Sequence, residues 1–136
     1  MANRYAGSMR VLVFGTFDHL HPGHEFVLGE GSKRGALHVV VAQDLTVERI
    51  KGHRADQSEQ ERMQAISDRF PEAKVVLGDH ENYLAPVKAI APDLILLGYD
   101  QKLPPGVDLG DLQGTVERLP PFKPERFKSS LKRGQK

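Results

Sequence analysis

Short runs of β-branched residues alternate along this chain with segments of helical pattern. The run Arg10–Phe14 is apolar and ends at Gly15, which predicts a buried strand. Pro22 suits the first turn of a helix that we expect to run to Arg34. The same reasoning predicts further strands at Leu37–Ala42, Ala73–Leu77, Asp93–Leu97 and Thr115–Leu119. It predicts a helical turn at Thr46–Ile50, a helix with a capping box from Ser58 to Glu61, a helix at Tyr83–Ala91 and a final helix at Glu125–Arg133.

This alternation constrains the fold more than any other feature. It predicts an α/β fold: a Rossmann-like, doubly wound parallel sheet of about five strands with helices on both faces. In open sheets of this kind, ligands bind outside the carboxyl ends of the strands. That rule selects three polar segments that follow predicted strands: Gly15–His24, Gln43–Lys51 and Gly98–Gln101.

The net charge and the composition limit the classes of partner that we expect this protein to bind. The 19 basic and 18 acidic residues give a net charge of +1, so no global field favours nucleic acid or a membrane surface. No apolar run approaches the ~20 residues that span a bilayer. The absence of cysteine excludes disulfides, thiolate catalysis and zinc–sulfur sites. It is compatible with the cytoplasm, where we expect the protein to act.

The 136 residues fit one domain. Residues 1–8 are polar and end in Gly7 and Ser8 before a second methionine, Met9, a pattern typical of an expression-tag remnant. We therefore expect an N-terminal extension at 1–8, a single domain at 9–133 and a short tail at 134–136.

The loop Gly15–His24 joins the first strand to the first helix, and its residues suit an anion. The amino end of a helix offers free N–H groups and a partial positive charge. Gly23 lets a ligand approach the backbone closely. His21 and His24 flank the helix start, where imidazoles can donate to phosphate oxygens and neutralise charge that develops on an α-phosphate. The loop therefore predicts a phosphate site.

Other interpretations of the same residues stay open at this point. Asp18 either holds an incoming group or a metal-bound water, or merely caps the turn. His19, His21 and His24 are also a potential metal cluster, although zinc prefers closed ligand sets. We assign no metal-ligating residue.

Gly15-Thr-Phe-Asp18 followed by His21-Pro-Gly-His24 resembles the signature of the cytidylyltransferase-like nucleotidyltransferases, whose hallmark is a His-x-Gly-His tetrapeptide. The resemblance implies a doubly wound sheet and transfer of a nucleotide from a nucleoside triphosphate to a phosphate-bearing acceptor. In that family the acceptor attacks the α-phosphorus in line and pyrophosphate leaves, without an enzyme nucleophile. Mg²⁺ accompanies the triphosphate. The family often forms homodimers, which leaves a homodimer open here.

The resemblance also implies roles for individual residues. It makes His21, His24 and Lys51 catalytic; it gives nucleotide binding to Gly15, Thr16, Phe17, Gly23, Tyr99, Asp100, Gln101, Lys128, Ser129 and Ser130; and it gives acceptor binding to Asp18, Asp44, Lys51 and Arg62. The alternative for Arg62 is a set of exposed ion pairs with neighbouring glutamates, which contribute little to stability. Lys128, Ser129 and Ser130 otherwise belong to a capped, basic C-terminal helix.

Two segments favour one branch of the family. Gly98-Tyr-Asp-Gln101 and Phe127-Lys-Ser-Ser130 look most like the archaeal-type FAD synthases, which transfer AMP from ATP to FMN. Glycerol-3-phosphate cytidylyltransferases are similar in size but usually carry a tryptophan in the first segment, and this chain has none. The main hypothesis is FMN adenylylation. The alternatives are cytidylyl transfer from CTP to a small phospho-alcohol or phosphonate, and a nucleotide-binding regulatory module without activity.

Overall fold

The structure of the protein is a computed structural model, which describes residues 9–112 and 114–122. Within these ranges the strands are β1 (Arg10–Gly15), β2 (Ala36–Val41), β3 (Lys74–Leu77), β4 (Leu94–Leu97) and β5 (Thr115–Arg118). The α-helices of the same ranges are α1 (Pro22–Arg34), α2 (Asp44–Lys51), α3 (Glu59–Arg69) and α4 (Ala85–Ile90). A short 3₁₀ helix, Leu109–Asp111, interrupts the loop between β4 and β5.

The described strands form one sheet in the order β3-β2-β1-β4-β5, and every neighbouring pair is parallel. This confirms the predicted Rossmann-like α/β fold. The chain moves outward from β1 through β2 to β3, and then returns to the other side of β1 with β4. The strand order therefore reverses between β1 and β4, and a crevice opens at their carboxyl ends.

Alternate residues of β1 supply the cores on the two faces of the sheet. Val11 and Val13 pack in one cluster with Leu28 of α1 and Ile66 of α3. Leu12 packs in the other cluster with Val87 of α4. Each of the three β1 side chains is at most 1% exposed. Full burial of such a side chain contributes about 1.5–3 kcal/mol to stability. The central strand is therefore a rigid base for the loop that follows it.

Two helices differ from their predicted bounds. The expected turn at Thr46–Ile50 is the eight-residue helix α2, so Lys51 ends a helix and does not begin a loop. Gly52 follows it with a left-handed φ of 82°, a conformation that favours glycine. The helix expected from Tyr83 begins only at Ala85. The predicted helix Glu125–Arg133 and the extension 1–8 lie outside the described residues. No helix in the described part of the chain has the length and apolar character needed to cross a membrane.

A buried arginine holds the carboxyl ends of β1 and β2 together. Arg62 of α3 is 0% exposed. Its Nη1 donates to the Thr16 carbonyl and to the Ala42 carbonyl, each at 2.8 Å. Its Nη2 donates to Asp44 Oδ1 at 2.8 Å, and its Nε donates to the Gln57 carbonyl at 3.1 Å. The expectation of exposed ion pairs with glutamates is therefore wrong, because the guanidinium lies inside the protein and pairs with Asp44.

We expect Arg62→Met to lower the free energy of unfolding by about 3–5 kcal/mol, because it leaves Asp44 and several buried carbonyls without their donor. Urea denaturation measures the change. Arg69→Met is the matched control on the same helix, since Arg69 pairs with Glu25 at the surface. We expect that variant to lose less than about 1 kcal/mol. Equal losses in the two variants would contradict the assignment.

Candidate functional site

A cavity of about 980 Å³ opens at the carboxyl ends of the central strands. Its walls come from the loop Gly15–His24, from α2, from the segment after β3 and from Gly98–Pro105. The three segments that the sequence selected for their position after strands thus meet in one place. This volume lies at the upper end of the range of about 300–1,000 Å³ that is usual for small-molecule sites.

The amino end of α1 is capped by histidine. His21 is the N-cap residue, and its Nδ1 accepts hydrogen bonds from the N–H groups of Gly23 at 3.1 Å and His24 at 3.3 Å. The Nδ1 of His24 in turn accepts a long hydrogen bond from the N–H of His21 at 3.4 Å. This is a capping box in which imidazole nitrogens take the places of the usual oxygens. The two rings stack with their centroids 3.7 Å apart.

These contacts define the tautomer of both rings. An imidazole nitrogen that accepts from a backbone N–H carries no proton, so the proton of a neutral ring sits on Nε2. Both rings line the cavity, and the Nε2–H of each remains able to donate. A Cβ at Gly23 would stand 3.0 Å from Cε1 of His21, a tight contact that the ring could relieve only by shifting a few tenths of an ångström.

The environment of His24 keeps its ring neutral. Burial, aided by the charges of His21 and Lys51 and opposed by Asp18, lowers the pKa of His24 from 6.5 to about 4. Phe17 packs edge-on against the ring, with centroids 5.3 Å apart. Phe17 is 5% exposed, so its contribution to the site is to hold His24 in place.

Asp18 organises the loop before α3. Its carboxylate accepts from the N–H groups of Asp56 at 2.8 Å and Gln57 at 3.0 Å. Burial acts to raise the pKa of Asp18, but these two backbone hydrogen bonds, with the nearby charges of His19 and Arg62, lower it overall. The geometry therefore favours the capping interpretation of this residue over a group that holds the acceptor.

The carboxylate of Asp18 also lies near His19 and Asp56. Nitrogen and carboxylate oxygen atoms of these three residues lie within 4.8 Å of one another, a spacing at which they could hold a metal ion. His19, His21 and His24, the cluster considered from the sequence, do not converge in this way among the described residues. His19 Nε2 and Asp56 Oδ2 instead pair with each other at 3.1 Å near the surface.

The loop after β4 is held from two sides. Gln101 Nε2 donates to the Phe14 carbonyl at 2.7 Å, while its Oε1 accepts from the N–H of Gly98 at 3.0 Å. Arg118 Nη1 donates to the carbonyls of Gly98, Tyr99 and Gln101 at 2.8–3.3 Å. The amide of Gln101 therefore fixes the loop to β1.

Arg118 is a residue of this site that the sequence analysis did not find. No motif marks it, because its role depends on the pairing of β5 with β4, which places it beside Leu97. Tyr99 and Asp100 are exposed at the tip of the loop and line the cavity. The described contacts leave both side chains free to meet a ligand.

The remaining predicted residues divide into three groups. Lys51 and Thr16 line the cavity directly. Asp44 lies beside it, and its carboxylate is paired with the buried Arg62. Lys128, Ser129 and Ser130 lie outside the described residues, so their predicted contacts with phosphate stay predictions.

The model of the cytidylyltransferase-like family matches residues 12–123 of the chain. The chain belongs to this family. An FAD synthase from Aciduliprofundum boonei is 44% identical over 95 residues, which cover 69% of this chain and 63% of that protein. An FAD synthase from Methanospirillum hungatei is 34% identical over 128 residues, which cover 90% of this chain and 81% of that protein. The chain thus spans less than two thirds of the length of the first relative.

Solved structures agree with this membership of the cytidylyltransferase-like family. A protein from Thermoplasma volcanium, described as a lipopolysaccharide core biosynthesis protein, superposes with a TM-score of 0.74 at 32% identity. The superposition covers 85% of this chain and 98% of that protein. The two folds therefore agree over nearly the whole of the neighbouring chain.

We expect the stability of the unliganded protein to fall as the pH decreases from about 6.5 to about 4, the range between the ordinary pKa of histidine and that of His24. In this range the unfolded chain binds a proton on His24 that the folded protein does not bind, so acid favours unfolding. NMR titration of the ring, assigned with His24→Gln, measures the pKa directly. Urea denaturation at the two ends of the range should show a smaller decline for His24→Gln. A ring that titrates near 6.5 would overturn this account.

Proposed function

We propose that the protein transfers AMP from ATP to FMN and releases pyrophosphate, forming FAD. The single observation that carries the proposal is the stacked pair His21 and His24, whose free Nε2–H groups line a cavity at the amino end of α1. Such donors suit the oxygens of a triphosphate. The FAD synthases of the same family support the choice of ATP and FMN.

In the proposed reaction, a phosphate oxygen of FMN attacks the α-phosphorus of ATP. A new P–O bond forms as the bond from the α-phosphorus to the bridging oxygen of the β-phosphate breaks, and pyrophosphate leaves with that electron pair. Mg²⁺ enters with ATP as part of the substrate and reduces the charge on its phosphates. The rings of His21 and His24 donate hydrogen bonds to the oxygens that gain charge in the transition state. Lys51 adds positive charge at the same cavity.

The strand order supports separate places for the two substrates. ATP binds at the reversal of strand order between β1 and β4, where Gly15, Thr16, Gly23 and the exposed loop with Tyr99 and Asp100 meet it. FMN binds on the side of β2 and β3. Gln101, Phe17, Asp18, Asp44 and Arg62 act by positioning the residues that touch the substrates, since their side chains are engaged within the protein.

The first experiment offers the purified protein ATP or CTP with Mg²⁺, each with and without FMN, and follows pyrophosphate release and FAD formation. We expect turnover with ATP and FMN together. Pyrophosphate release from CTP with a phospho-alcohol or phosphonate, and no release with FMN, would instead show that the protein is a cytidylyltransferase. Tight nucleotide binding without any pyrophosphate would favour a regulatory module.

We expect His21→Asn to lower kcat by about 100-fold or more, the effect of removing one transition-state donor. Asparagine is a good N-cap residue, so its side-chain oxygen replaces Nδ1 of His21 in the cap and the melting temperature should change little. His21→Ala removes both functions and should lower kcat and the melting temperature together. His53→Ala serves as the control, because His53 is exposed and does not line the cavity. Full activity of His21→Asn would show that the ring takes no part in the reaction.

A further inference from the structure

Thr46 carries a buried hydroxyl without a partner. The residue is 7% exposed, and its Oγ1 makes no hydrogen bond with any residue in the ranges 9–112 and 114–122. Thr46 stands in the first turn of α2 and lines the same cavity as His21 and His24. It is thus a polar side chain beside the proposed site with unused hydrogen-bonding capacity.

The local backbone does not satisfy this hydroxyl. A threonine within a helix usually donates to a carbonyl one turn earlier. Here Thr46 Oγ1 makes no such bond, neither to the Ala42 carbonyl nor to the Gln43 carbonyl. A buried hydroxyl without a partner destabilises the folded state, whereas valine has nearly the same shape and no such group. The hydroxyl therefore has a cost in the unliganded protein that a bound ligand can remove.

The position of α2 in the fold indicates which ligand this is. Thr46 follows β2, which lies on the opposite side of β1 from β4 and the Gly98–Gln101 loop. On this side the cavity is lined by Val40, Ala42 and Gly78, and by Lys51 of the same helix. The proposed function places FMN on this side of β1, so the acceptor is the ligand that comes within reach of Thr46.

We infer that Thr46 Oγ1 hydrogen-bonds the acceptor, FMN under the proposed function on which this inference rests, and does not contact ATP. In the conformation described, the oxygen is shielded from solvent. Rotation about χ1 by one staggered position exchanges it with the methyl group, and threonines in helices populate two such positions. The bound acceptor thus supplies the hydrogen-bond partner that the backbone of α2 does not provide.

Steady-state kinetics and thermal unfolding of Thr46→Val test this role. We expect the KM for FMN to rise about 5- to 50-fold, the effect of one lost hydrogen bond to a desolvated group, while the KM for ATP stays within about twofold. The melting temperature of the unliganded variant should rise, because the unsatisfied hydroxyl is gone. Thr46→Ser keeps the hydroxyl and should retain a KM for FMN near that of the wild type. Thr115→Val, which removes an exposed hydroxyl from β5, should change none of these values.

The outcomes separate this inference from the proposed function. If the wild type forms FAD and Thr46→Val has an unchanged KM for FMN, the inference alone is wrong. An equal rise in the KM for ATP would place the hydroxyl on the nucleotide and would also overturn it. A wild type that forms no FAD from ATP and FMN overturns the proposed function, and the assignment to FMN falls with it.

Discussion

The buried guanidinium of Arg62 is the contact on which the site depends most. The ends of parallel strands leave carbonyl groups that no further strand pairs, and an active-site crevice needs those ends to stay in place. Arg62 donates to the carbonyls of Thr16 and Ala42, and so it joins the ends of β1 and β2 from below the cavity. Its pairing with Asp44 compensates the buried charge. One side chain thus joins the start of the Gly15–His24 loop to the segment that leads into α2.

Local patterns predicted much of this fold because the interactions behind them are local. The run Arg10–Phe14 reads as a strand because its β-branched side chains fill both faces of the sheet. The box from Ser58 to Glu61 predicted the start of α3, and the structure confirms both of its hydrogen bonds. The Gly15–His24 loop could also be recognised from the sequence, because His21, Gly23 and His24 lie within three residues of one another. The predicted ends of α2 and α4 differ from the observed ends by one or two residues, which is the usual variation of helix boundaries.

The contacts that sequence reasoning did not predict join residues far apart along the chain. Arg62 is 46 residues from the carbonyl of Thr16, and Gln101 is 87 residues from that of Phe14. Whether an arginine on α3 is exposed or buried depends on which helix face meets the sheet, and a single charged position does not reveal this. Arg118 contacts its loop only because β5 pairs with β4. Such roles can be inferred only from the order of the strands in the sheet, which the sequence motifs do not specify.

The imidazole rings of His21 and His24 serve both the folding of the loop and its proposed chemistry. Nδ1 of His21 satisfies backbone N–H groups that the first turn of α1 would leave unpaired, and this contact stabilises the helix whether or not a ligand is present. The same contact selects the tautomer with its proton on Nε2, the nitrogen that remains able to donate. A positively charged pair of stacked rings would repel itself, and burial keeps His24 neutral at ordinary pH. Donation without prior protonation is therefore a property of the folded loop, present before any substrate arrives.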